Sequence, residues 1–157
     1  MNNIFTPVET RMMAPQDTKK RDVIYWAAFN RNELWNPNTI EKILHDFPKG
    51  YIDEGDLFLI VTECVANAVL HGQVEELCLT GRLRHGVLLL SFQQVPKLQN
   101  RLATVLSLAR SGHIGHDNHA SDLPGGLGFP ILLRLVHRIT LNISYTAMQM
   151  WIRTPKP

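Results

Sequence analysis

Residues 55–72 read GDLFLIVTECVANAVLHG, a long and mostly apolar run, and directly after it the pattern changes period. Up to residue 72 the apolar residues fall at helical spacing. Beyond it, ELCLTGRL and GVLLLSFQ, joined through Arg84, His85 and Gly86, alternate as the two strands of a β-hairpin. A helix that must bury one side, followed at once by an antiparallel strand pair, confines the chain to folds in which helices cover a sheet.

The flanking segments extend this picture. Residues 1–16 supply an edge strand or arm around Phe5–Met13. DTKKRDVIYWAAFNR, from Asp17, has an N-cap residue and then Val23, Ile24, Ala27 and Ala28, which predicts a helix. NPNTIEKILHDFPKG predicts another, with Pro37 near its first turn and Pro48 as its stop. LQNRLATVLSLAR returns to helical spacing, a polar loop follows, and FPILLRLVHR is a short apolar helix. ITLNISYT and MQMWIRT close the chain as strands. The whole predicts one α+β domain over residues 1–157, a two-layer sandwich with a mainly antiparallel sheet.

Composition excludes several classes. With 157 residues, 45% hydrophobic and 19% charged, the chain can bury a real core. A net charge of +2, with no basic run beyond Lys19, Lys20 and Arg21, gives no nucleic-acid signature. No signal-peptide h-region opens the sequence and no stretch spans a bilayer, so no membrane is expected. The two cysteines, Cys64 and Cys78, sit in apolar patterns as small hydrophobes, which leads to a reducing cytoplasm as the expected location.

Two features carry chemistry. Glu63, Asn67 and His71 recur every fourth residue, so they share one stripe beside the arc of Leu57, Val61, Cys64, Val65 and Ala68. Polar groups at such a border are partly desolvated and need partners; a cation with its water and phosphate oxygens is a suitable one. The plainer alternative is a set of ordinary polar residues on a helix's wet side. The second feature is PGGLGFPILLRLV, where Gly125, Gly126 and Gly128 lead directly into a helix. Glycines let a ligand come close to the backbone, and the free N–H groups of a helix start favour phosphate. The same residues also suit a hinge.

TECVANAVLHG followed by PGGLGFPILLRLV resembles the N box and second glycine box of the GHKL superfamily of ATPases. The short chain and the form of the N box look most like the bacterial anti-sigma-factor serine/threonine kinases. The resemblance covers roughly residues 50–154 and implies a Bergerat-type ATP-binding fold, with helices on one face of the sheet. It implies that Asn67 coordinates the Mg²⁺ of Mg-ATP and that Glu63 is the general base or orients the attacking hydroxyl. By the same resemblance His71 and Gly72 close the N box beside the phosphates, and Gly125, Gly126, Leu127 and Gly128 form the phosphate-facing glycine box. It further implies a partner-switching regulator that binds a sigma factor or an anti-sigma-factor antagonist, phosphorylates a partner on Ser or Thr, and forms homodimers.

One part of the family pattern is missing. Where the first glycine box should place an adenine-reading Asp and two glycines, the chain reads LLLSFQQVPKLQ. Gln93 or Gln94 stands near the Asp position, and an amide there accepts from an adenine amino group and donates to a ring nitrogen. The loss of the Asp keeps a second expectation open, a nucleotide-free protein of the same fold that acts only by binding its partner. In the loop, His113, His116 and His119 with Asp117 have the spacing of a metal site, or of a solvated lid; a metal-dependent hydrolase built on them with His71 is a third class. Trp26, Trp35 and Trp151 are expected as core or interface anchors. His45, His85 and His137 are expected at the surface or at helix ends.

Overall fold

The computed structural model describes residues 22–71, 74–95, 128–141 and 147–155. The strands are β1 (Val23–Asn30), β2 (Glu76–Arg84), β3 (Val87–Val95), β4 (Arg138–Leu141) and β5 (Ala147–Arg153). The helices are α1 (Arg31–Trp35), α2 (Asn38–Asp46), α3 (Glu54–His71) and α4 (Gly128–Leu135). The strands form a five-stranded sheet in the order β1-β2-β3-β5-β4. Every pairing in it is antiparallel. The expected strand around Phe5–Met13, the helix over 98–109 and the histidine loop lie outside the described residues.

The helix predicted from Asp17 to Arg31 is corrected. Residues 23–30 are β1, paired along β2 from Val23↔Arg82 to Asn30↔Glu76. VIYWAAFN is rich in β-branched and aromatic side chains, which suit a pleated, half-buried surface. Its apolar residues satisfy helical spacing and alternation alike, and the neighbouring strand selects the second. Tyr25, Ala27 and Phe29 then face inward with Gly81, Leu79 and Leu77 of β2. Gly81 leaves room here, since a Cβ at this position would meet the Phe47 ring at 3.3 Å.

Asn30 ends β1 and caps α1, a helix the sequence reading passed over. Its Oδ1 accepts from Glu33 N at 2.9 Å, and Glu33 Oε2 accepts from Asn30 N at 2.8 Å, a reciprocal capping box. The helix expected between Pro37 and Pro48 is present as α2. At the start of α3, Asp53 Oδ1 accepts from Gly55 N at 2.9 Å and Asp56 N at 3.1 Å, which satisfies donors without intrahelical partners.

The hairpin forms as expected. His85 and Gly86 make its two-residue turn with φ of 47° and 73°, the positive-φ geometry that matches strand twist. Thr154 closes the turn from β5's end, donating to Gly86 O through its N at 3.0 Å and its Oγ1 at 2.9 Å.

Alternation along the strands divides the sheet into two faces. The inward set includes Leu77, Leu79, Leu88, Leu90, Phe92, Met148, Met150 and Ile152, all buried. Against it pack Leu57, Ile60, Val61, Cys64 and Ala68 of α3, with Ile43 of α2 and Leu132 of α4, in one cluster. The opposite face carries Trp26, Thr80, Arg82, Ser91 and Trp151, which line a concave cavity instead of a core.

Candidate functional site

Helix α3 presents its apolar stripe to the sheet, and the polar stripe runs along that stripe's edge. Asn67 is 5% exposed, whereas Glu63 is half-buried and His71 is the last residue of the helix. Asn67 Nδ2 is buried with no hydrogen-bond partner among the described residues. Such an orphan costs about 1–3 kcal/mol, so the folded protein keeps a polar end of Asn67 unspent. A half-turn of the amide exchanges Nδ2 with Oδ1, which makes the same position an oxygen donor for a hard cation.

A second orphan comes from the sheet. Gln94 is 3% exposed, and its Oε1 has no partner among the described residues. It follows Leu88, Leu90 and Phe92 on the inward face of β3, opposite Leu77. Gln93 points the other way: it is exposed and lines the cavity on the outer face. Of the two glutamines that stand near the missing Asp, Gln93 thus lies on the outer face and Gln94 on the helix-covered face. The signal was present in the sequence, since period-two alternation from Leu88 puts every even-numbered residue of β3 on the inward face.

Helix α4 packs beside α3, with Leu132 and Val136 in the shared core. Gly128 is its first residue, so the first N–H groups of α4 have no partner within the helix. Pro130 falls within that first turn, where its missing N–H removes no helical bond. Gly72, Gly125, Gly126 and Leu127 lie outside the described residues, as do His113, His116 and His119.

The cysteines behave as core residues. Cys64 is buried on α3, and burial, with the neighbouring Glu63 carboxylate, pushes its thiol well above the usual range. A thiol so raised is a poor nucleophile and metal ligand. No group of three or more His, Cys, Asp or Glu side chains suited to a metal occurs among the described residues. His45, His85 and His137 are exposed, as expected. The tryptophans are not core residues: Trp35 is 59% exposed, and Trp26 and Trp151 are half-buried on the outer face.

No protein-family model matches this chain, and no curated protein matches it significantly. No helix among the described residues is long and apolar enough to cross a membrane.

Proposed function

We propose that this chain is a GHKL-type regulatory protein that binds Mg-ATP on the helix-covered side of a Bergerat-type sheet and phosphorylates a partner protein on Ser or Thr. The observation that carries the reading is a pair of buried amides, Asn67 on α3 and Gln94 on β3, each with a buried polar atom that has no hydrogen-bond partner among the described residues. Native interiors rarely leave such groups unpaired, and a polar ligand explains both at once. The N box and glycine box supply the rest of the reading. In the cell it would act in a cytoplasmic partner-switching pathway, with a sigma factor or an anti-sigma-factor antagonist as its protein partner.

The residues fit the chemistry. Asn67 would hold Mg²⁺ through Oδ1, with phosphate and water oxygens completing the shell. When bound, the metal supplies charge neutralisation at the β- and γ-phosphates. The N–H groups at the start of α4, at Gly128, would receive the phosphates. Glu63 orients the partner's hydroxyl and takes its proton as the hydroxyl oxygen bonds to the γ-phosphorus; the bond to the bridging oxygen breaks and ADP leaves. Gln94 Oε1 accepts from the base's exocyclic amine.

Calorimetric titration with ATP, with and without Mg²⁺, tests the reading. Binding that needs Mg²⁺ and is lost in Asn67→Ala supports it, as does phosphoserine or phosphothreonine on an antagonist protein that Glu63→Ala no longer produces. Transfer equal in Glu63→Ala and wild type would remove the kinase reading.

A second reading rests on the strand beyond Gln94. Between residues 87 and 111 there is neither Asp nor Gly, so the clearance and the carboxylate that a bound adenine uses are absent. The chain would then be a nucleotide-free binding module of the same fold. It predicts no thermal shift with Mg-ADP or Mg-ATP, whereas a ligand at 100 times its Kd stabilises by about 2.7 kcal/mol.

A further inference from the structure

The outer face of the sheet, opposite the proposed nucleotide site, holds a concave cavity of about 880 Å³. That volume lies within the range of small-molecule sites. Its wall chemistry is one-sided: Arg82, Arg84 and His85 line it, and no Asp or Glu does so among the described residues. Asp22 pairs with Arg84, which leaves Arg82 as a guanidinium with no carboxylate partner among the described residues.

The strand register places these groups in order. Across one row, Trp151 of β5 lies opposite Leu89 of β3, and Leu89 lies opposite Arg82 of β2. Across the next, Gln149, Ser91, Thr80 and Trp26 follow one another over the same strands. With strands about 4.8 Å apart, the indole of Trp151 and the stem of Arg82 stand roughly 10 Å apart with only Leu89 between them. Arg138 holds the Trp151 ring from the sheet edge, its guanidinium carbon 5.4 Å from the ring centroid. On the far side Trp26 of β1 and Cys78 of β2 complete the cavity wall.

We propose that this cavity binds a small planar aromatic anion, a carboxylate or phosphate carried on a ring. The ring lies on Leu89 and stacks against Trp151, its anionic group pairs with Arg82, and Ser91, Thr80 and Gln149 satisfy its remaining polar atoms. The charge pattern favours this occupant over two others. A nucleic-acid strand needs a run of unpaired cations along its track, whereas Arg84 is already neutralised. A second copy of this chain would bring the same unpaired guanidinium against its twin.

The probe is 2-naphthoate, titrated into the full chain and followed by tryptophan fluorescence and by the indole N–H signals of the ¹⁵N-labelled protein. Saturable binding that shifts the Trp26 and Trp151 signals is expected, with 2-naphthamide and cyclohexanecarboxylate each at least about tenfold weaker because one lacks the charge and the other the ring. Arg82→Gln should weaken naphthoate by about tenfold or more while leaving the circular dichroism unchanged; Trp151→Leu tests the ring contact separately. Equal affinity for the amide, no loss in Arg82→Gln, or no saturable binding overturns the proposal. So does displacement of naphthoate by Mg-ATP, which would put it in the nucleotide site. Tighter, salt-sensitive binding of a single-stranded oligonucleotide on the same indoles would replace it with a nucleic-acid platform.

Discussion

Asn67 and Gln94 are buried on the same side of the sheet, one on a helix and one on a strand, and each has a buried amide atom with no partner among the described residues. Folding removes both from water and returns less than a full set of hydrogen bonds. A protein that retains two such groups is less stable than its apolar equivalent unless something else binds them.

The first prediction follows from that deficit. Gln94→Met, close in volume and free of the orphaned oxygen, should raise the stability of the free protein by about 1–2 kcal/mol in urea unfolding. The same variant should reduce the thermal shift given by Mg-ADP. A variant that loses stability instead would mean that Gln94 has a structural partner.

Leu90 of β3 and Ile60 of α3 are both fully buried in the shared core. Leu90→Ala or Ile60→Ala should cost about 2–5 kcal/mol through lost transfer energy and the cavity left behind. Chemical denaturation monitored by circular dichroism measures it, with little change expected in the slope against denaturant.

The hairpin turn is sensitive to backbone shape. Gly86 holds φ at 73°, and a β-branched residue resists that conformation. Gly86→Val should destabilise by about 1–2 kcal/mol, although a Cβ there meets nothing closer than Thr154 Oγ1 at 3.7 Å. The loss therefore comes from the backbone, and Gly86→Asn, which tolerates this region, should recover most of it.

Asn30 ends a strand and starts a helix with one side chain. Asn30→Ala removes the capping box and should cost about 1 kcal/mol, while Asn30→Asp should stay near wild type. Thermal unfolding at neutral pH distinguishes the two.

Tyr25 gives a dependence on alkaline pH. Burial, with the Asp46 carboxylate adding to it, pushes its phenol up to about 12 from 10.0. The folded state thus holds the proton more tightly than the unfolded chain does. The resulting stabilisation is complete below pH 10 and is lost as the pH rises toward 12. Urea midpoints of Tyr25→Phe should fall less steeply than wild type over that window. Parallel curves would show that the phenol does not report on folding.

Several elements were legible before any tertiary contact was known, because each is specified within a few residues. The hairpin at 76–95 needs only alternation and a turn that tolerates positive φ. Helix α3 needs its apolar spacing, and α2 lies between two prolines. The stripe of Glu63, Asn67 and His71 follows from helical pitch alone.

The misread element was β1, where VIYWAAFN satisfies both periods and no local signal separates them. What separates them is β2, whose free edge supplies hydrogen-bond partners for a strand and none for a helix. With β1 read as a helix, Trp26 could not be placed on the sheet, and its cavity with Arg82 and Trp151 stayed out of view. Gln93 and Gln94 differ in the same way: the strand pattern distinguishes their faces, but only the helices packed on one side make that distinction a difference between burial and exposure. Local sequence was enough for α2, α3, the hairpin turn and the identities of the polar side chains at the candidate site. The tertiary structure alone decided which face of each strand is dry, because burial depends on distant elements arriving there, and it is burial that leaves Asn67 and Gln94 short of partners.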